Sequence, residues 1–100
     1  MKLTLYKRDN CSLCDEAVVM LEWLQEDYPI ELEQVDITGD EVLEAKYLFE
    51  IPVLIHEGAV ISQGRYDDNK VEDFVKYALT SKKKRLKGLP DGKVIDKMNS

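Results

Sequence analysis

Two cysteines, Cys11 and Cys14, are the residues whose type and spacing best suit covalent chemistry, and the chain contains no other cysteine. A Cys-x-x-Cys pair can cycle between a dithiol and a disulfide, or supply two ligands to a metal ion. Buried cysteines also occur as small apolar side chains. That role suits Cys14, which continues an apolar helical stripe, but not Cys11, which follows a polar turn. The pair therefore predicts thiol–disulfide chemistry.

The predicted surroundings give the two sulfurs different roles. Cys11 lies at the start of a predicted helix, where unpaired backbone N–H groups and the helix dipole favour a thiolate. Lys7 and Arg8 add positive charge just upstream, whereas Asp15 opposes it. Cys14 lies on the same helical face and should be the more buried of the two. We therefore expect Cys11 to attack a substrate disulfide and Cys14 to resolve the mixed disulfide.

A metal site is the main alternative use of the two cysteines. A closed zinc site needs four ligands, and this chain has only one histidine, His56. His56 falls in a predicted strand beside a turn, and we expect it to face solvent. Zinc would therefore require carboxylates or a second chain, and no metal ligand is predicted here.

Apolar periodicity predicts the element order β-α-β-α-β-β-α. The predicted strands cover residues 2–6, 30–37, 52–55 and 59–62, and the predicted helices cover 11–27, 40–49 and 67–81. Asp40 is the predicted cap of the second helix, and Trp23 is expected to pack inside the protein. The first β-α-β unit implies parallel strands, and the final hairpin extends the same sheet. The prediction is an α/β fold with a four-stranded mixed sheet flanked by helices.

Charge divides the 100-residue chain into two parts. Residues 1–81 carry 7 Lys and Arg against 18 Asp and Glu, a net charge of −11, whereas residues 82–100 carry +5. We expect one domain over 1–81 and a basic, flexible tail over 82–100. The acidic body argues against nucleic-acid binding. Without a bilayer-length apolar run or an export signal, we expect a cytoplasmic monomer with no membrane partner.

Several short segments resemble those of a known family. The Cys-x-x-Cys after the first strand, followed about 40 residues later by Ile51-Pro52, resembles the thioredoxin superfamily and glutaredoxins in particular. The resemblance covers residues 2–81. More narrowly, the chain is similar to a bacterial glutaredoxin-like family in four stretches: Leu-Tyr-Lys-Arg-Asp-Asn-Cys-Ser-Leu-Cys, Glu-Gln-Val-Asp-Ile, Ile-Pro-Val-Leu-Ile and Gly-Arg-Tyr-Asp.

The resemblance also assigns roles around the proline. From the residues alone, Pro52 is expected to be a trans proline that ends a helix. The resemblance implies instead a cis-proline facing Cys11, with the backbone of Ile51 pairing with a bound thiol substrate. Glutaredoxins usually have a Gly-Gly pair after the fourth strand, which helps to bind glutathione. Here Gly64 alone remains, and Arg65 offers positive charge to a carboxylate.

The function implied is that of a dithiol oxidoreductase that reduces protein or glutathione mixed disulfides. Glutathione is then a candidate substrate or electron donor, and no tightly bound cofactor is expected. The residues between the cysteines depart from the usual glutaredoxin Pro-Tyr, since Ser12 and Leu13 stand there. Two alternatives remain: a binding module for a thiol ligand or partner protein with little catalysis, and a carrier of a metal or iron–sulfur cluster.

Overall fold

A computed structural model of the protein describes the backbone of residues 1–87 and the side chains of residues 1–80. The strands are β1 (Lys2–Lys7), β2 (Glu31–Asp36), β3 (Val53–His56) and β4 (Ala59–Gln63). The helices are α1 (Ser12–Asp27), α2 (Glu41–Tyr47) and α3 (Asp68–Lys87). The predicted α/β order is confirmed.

The third helix is longer than predicted. It continues to Lys87 rather than ending near residue 81, so its last turns include the first residues of the predicted basic tail. Residues 88–100 lie outside the described residues, and the flexibility of the tail stays a prediction. Within the described part of the chain, no helix is both long and apolar enough to cross a membrane.

The four strands form one mixed sheet in the order β2-β1-β3-β4. β2 is parallel to β1, whereas β3 runs antiparallel to both β1 and β4. The register places Tyr6 opposite Val53, and Val53 opposite Gln63. These three residues form a row near the end of the sheet at which β1 finishes, which we call the exit end. The loops that contain Cys11, Pro52 and Gly64 all lie at this end.

Both faces of the sheet carry apolar cores. α1 and α3 cover one face, where the alternation along β1 directs Leu3 and Leu5 inward. That core contains nine buried residues: Leu3, Leu5, Ala17, Leu21, Leu24, Leu54, Ile61, Val71 and Val75. The short α2 covers part of the other face, where its Tyr47 packs in one core cluster with Ile37 and Val53. The Tyr47 ring stacks on Tyr6 with centroids 4.6 Å apart.

Two expectations about individual side chains are wrong. Trp23 is 60% exposed, because the buried stripe of α1 passes through Leu21 and Leu24 and leaves the position between them facing outward. His56 has a side chain only 14% exposed. Its Nδ1 donates to the carbonyl oxygen of Lys2 at 3.0 Å, and its ring meets the edge of Phe74 at 5.4 Å.

The start of α2 agrees with the sequence. One carboxylate oxygen of Asp40 accepts hydrogen bonds from the N–H groups of Val42 and Leu43, each at 3.1 Å. These are two of the donors that a helix leaves unpaired at its first turn. Asp40 is therefore the N-cap of α2, as predicted.

Replacing this cap should weaken the domain. We expect Asp40→Ala to lower the free energy of unfolding by about 1 kcal/mol, because two N–H groups lose their acceptor. Asp40→Asn keeps a side-chain oxygen at the same position and should remain within about 0.5 kcal/mol of the wild type. Urea denaturation measures both. An equal loss in the two variants would show that the charge of Asp40 matters more than its capping oxygen.

Candidate functional site

Cys11 joins β1 to α1 and acts as the N-cap of the helix. Its backbone is extended, with φ −130° and ψ 102°, and its Sγ accepts a hydrogen bond from the Cys14 N–H at 3.1 Å. The preceding Asn10 has φ +55°, a left-handed conformation that asparagine tolerates better than most residues. The sulfur of Cys11 thus occupies the position where Ser or Asp usually caps a helix.

Cys11 and Cys14 are joined by a disulfide, with their Cα atoms 5.2 Å apart. Cys14 is fully buried in the apolar stripe of α1, whereas Cys11 is partly exposed at the helix start. An incoming molecule therefore reaches Cys11 first. This difference in burial arises because Cys11 is the cap residue before the helix, whereas Cys14 lies in its first turn on the buried face.

The segment before β3 lies at the same exit end. The Ile51–Pro52 peptide bond is cis, and Pro52 is buried. The Ile51 N–H donates to the Tyr47 carbonyl at 3.0 Å, which ties this segment to the end of α2. The trans bond expected from the residues alone is therefore not the conformation in the structure.

Gly64 holds the same segment from the other side. Its N–H is shared between the carbonyls of Glu50 and Pro52, at 2.9 and 3.0 Å. Gly64 adopts φ +72°, which glycine accepts without steric cost. Of the expected Gly-Gly pair, the glycine that remains therefore serves to hold the proline segment against the end of β4.

The next residue, Arg65, turns toward α1. Its Nη1 lies 3.9 Å from the Glu16 Oε1, so the exposed guanidinium faces an acid two residues after Cys14. Asp67 then caps α3, since its side chain accepts from the Lys70 N–H at 3.1 Å. The loop after β4 thus lies beside the start of α1.

Lys7 and Arg8 precede the cysteines in the sequence, but Lys7 acts on Asp36 and Arg8 faces solvent. The N–H and hydroxyl groups of Thr38, and to a smaller extent the charge of Lys7, hold the pKa of Asp36 below its usual range. Arg8 is exposed. The hydrogen bonds and ion pairs found among residues 1–80 include none from either side chain to Cys11.

Two residues near the exit end were not singled out from the sequence. The sequence predicts a second helix that reaches Phe49, but α2 ends at Tyr47, and Phe49 lies in the following turn with 96% of its surface exposed. In the sequence, Phe49 does not continue the four-residue spacing of Leu43 and Tyr47, which indicates that its side chain does not share their buried face. Tyr66 has a buried hydroxyl for which residues 1–80 provide no hydrogen-bond partner. Burial, together with nearby Asp68 and Glu72, raises the pKa of Tyr66.

Metal-binding geometry is not evident in this part of the chain. Among the described residues, no group of three or more His, Cys, Asp and Glu side chains converges as a metal site would require. The one histidine, His56, is instead engaged with Lys2 and Phe74.

Comparison with known proteins places the chain among glutaredoxin-like proteins. The model of the glutaredoxin-like domain (DUF836) matches residues 2–76. No curated protein matches the chain. A crystal structure of the target protein XcR50 from X. campestris is 32% identical with a TM-score of 0.65, covering 75% of this chain and 96% of its own.

Two further structures are similar. The solution structure of Ne2328 from Nitrosomonas europaea is 32% identical with a TM-score of 0.65, over 74% of this chain and 89% of its own. Thioredoxin 1 from Thermosipho africanus has a TM-score of 0.54 over 79% of this chain and 99% of its own. At 19% identity, that likeness shows the thioredoxin fold alone.

Tyr66 and Tyr28, the C-cap of α1, should respond oppositely to loss of their hydroxyl groups. Tyr66→Phe should raise the free energy of unfolding by up to about 1 kcal/mol, since it removes a buried hydroxyl without a partner. Tyr28→Phe should lower it, because the Tyr28 hydroxyl donates to Glu72 at 3.0 Å. Urea denaturation compares the two variants. A similar loss in both would show that the Tyr66 hydroxyl has a partner in solution.

Proposed function

The chain belongs to the glutaredoxin-like domain family (DUF836), and from that premise we propose that it is a thiol–disulfide oxidoreductase. The observation that carries this proposal is the position of Cys11. Its Sγ accepts a hydrogen bond from the Cys14 N–H at the start of α1, and it is joined to the buried Cys14 by a disulfide. N–H donors and the helix dipole both stabilise a thiolate at this position.

Reduction of a substrate proceeds in two exchanges. The Cys11 thiolate attacks one sulfur of the substrate disulfide, so a bond forms to Cys11 and the other substrate sulfur leaves as a thiolate that takes up a proton. Cys14 then loses its proton and attacks the Cys11 sulfur. The second substrate thiol leaves, and the Cys11–Cys14 disulfide remains. Two electrons pass from the two cysteines to the substrate, whose two thiolates take up the proton of Cys14 and one proton from solvent.

The segment at Ile51 and Pro52 is the proposed contact for the substrate backbone. An extended substrate segment can pair with the backbone of such a stretch by adding a short strand. Because the Ile51 N–H already donates to Tyr47, pairing through that N–H requires this hydrogen bond to open. The carbonyl is the other group that Ile51 offers.

The four remaining candidate residues lie at the exit end, where β1 and β4 finish. The Gly64 N–H donates a hydrogen bond to the Pro52 carbonyl, and the Arg65 guanidinium lies next to the Glu16 carboxylate. Lys7 and Arg8 contribute positive charge just before Cys11. The chemistry requires no resident cofactor. Protein or glutathione mixed disulfides are the proposed substrates, and glutathione is one candidate electron donor.

Exchange of each cysteine for serine tests the two roles. Cys11→Ser should reduce turnover of hydroxyethyl disulfide to the uncatalysed rate, whereas Cys14→Ser should accumulate a mixed disulfide on Cys11, visible by intact mass. Serine is itself a favourable N-cap, so the first variant keeps the start of α1. Far-ultraviolet circular dichroism confirms that both variants are folded. Equal residual turnover in the two variants would refute the assignment.

A further inference from the structure

Phe49 is exposed next to the proposed substrate segment. It has the most exposed large apolar side chain of the described residues, at 96%, and it lies two residues before Ile51. Two peptide links limit the separation of the two Cα atoms to about 7.6 Å. Single exposed apolar residues are common on proteins. Phe49 differs in its place, because it lies close in the chain to the segment at which a substrate would pair.

Several groups at the exit end that could hold a carboxylate already have partners, although among residues 1–80 Lys7 and Arg8 do not pair with an acid there. The Gly64 N–H is shared between two carbonyls, and the Arg65 guanidinium faces Glu16. At the start of α3, the Asp67 carboxylate occupies the position that an anion would take at a helix N-terminus. A small anionic substrate that binds to the partnered groups would therefore have to displace existing hydrogen bonds or an ion pair.

The charge around the exit end also disfavours an anionic substrate. Six exposed carboxylates lie at the starts of α1 and α3 and on the loops of the exit end, against the four cations Lys7, Arg8, Arg65 and Lys70: Asp9, Asp15, Glu16, Glu50, Asp67 and Asp68. Residues 1–81 together carry a net charge of −11. A field of this sign slows the approach of anions and favours neutral or cationic molecules. Glutathione carries more carboxylates than ammonium groups at neutral pH.

We propose that the substrates of this site are polypeptide disulfides with an apolar side chain next to the cysteine, which contacts Phe49, and that glutathione disulfide is a poor substrate. This inference rests on the proposed oxidoreductase function and narrows its substrate class. Each turnover converts the Cys11–Cys14 dithiol and one peptide disulfide into a protein disulfide and two peptide thiols. No further reductant takes part.

Single-turnover reduction by the prereduced protein tests the proposal. The probes are hydroxyethyl disulfide, glutathione disulfide, and the disulfides of two end-blocked peptides, Gly-Leu-Cys-Leu-Gly and Gly-Ser-Cys-Ser-Gly. We expect the leucine peptide to react at least about tenfold faster than glutathione disulfide. Partial burial of its aliphatic groups against an aromatic ring supplies a free energy that corresponds to this ratio. The serine peptide should lie between them.

Variants at position 49 isolate the apolar contact. Phe49→Ser should slow the leucine peptide about tenfold and leave hydroxyethyl disulfide unchanged, whereas Phe49→Leu should keep most of the rate. Tyr77→Ser is the matched control, since Tyr77 is 71% exposed and lies on α3 about 13 Å along the helix from its start at the exit end. Glu16→Gln frees Arg65 and should speed glutathione disulfide about twofold.

The outcomes separate this inference from the function on which it rests. If no disulfide is reduced, the oxidoreductase proposal fails, and the substrate class fails with it. If hydroxyethyl disulfide is reduced while glutathione disulfide matches or exceeds the leucine peptide, only the substrate class is overturned. Equal effects of Phe49→Ser and Tyr77→Ser would likewise overturn the role of Phe49.

Discussion

The pairing of β3 between β1 and β4 is the constraint on which the arrangement of the site depends. Because Val53 lies opposite both Tyr6 and Gln63, the residues just before β3 meet the loops that follow β1 and β4. Pro52 and Gly64 become neighbours, joined by a hydrogen bond of 3.0 Å. β4 also runs parallel to β1, so α1 and α3 begin at the same end of the sheet. A shift of β3 by one residue would turn its buried side chains to the opposite face.

The first turn of α1 provides the hydrogen-bond donor next to the sulfur of Cys11. The helix leaves donors unpaired at its first turn, and the Cys14 N–H is satisfied by the Cys11 sulfur. The same three-residue spacing buries Cys14 in the apolar stripe that anchors α1 to the sheet. Packing energy and sulfur chemistry are therefore coupled, since one helix face provides both the core contact and the second thiol.

The parts of the fold that follow from local patterns could be predicted from the sequence. The apolar stripe of α1, the Asp40 cap and the alternation along β1 each depend on residues a few positions apart. The surroundings of His56 could not be predicted, since they involve the Lys2 carbonyl, 54 residues away, and Phe74 on another helix. The pairing of Arg65 with Glu16 likewise requires knowledge of how the loop after β4 approaches α1. The exposure of Phe49 depends on where α2 ends, and helix ends are difficult to predict from periodicity alone.

The central claim is that Cys11 and Cys14 form a reversible redox pair, and a redox titration tests it most directly. The protein is equilibrated in graded mixtures of reduced and oxidised glutathione, its free thiols are trapped with an alkylating mass tag, and the species are identified by intact mass. The account predicts a Cys11–Cys14 disulfide that forms reversibly, with a midpoint between about −120 and −270 mV, the range of known dithiol oxidoreductases. Two thiols that stay free across the whole range would contradict it.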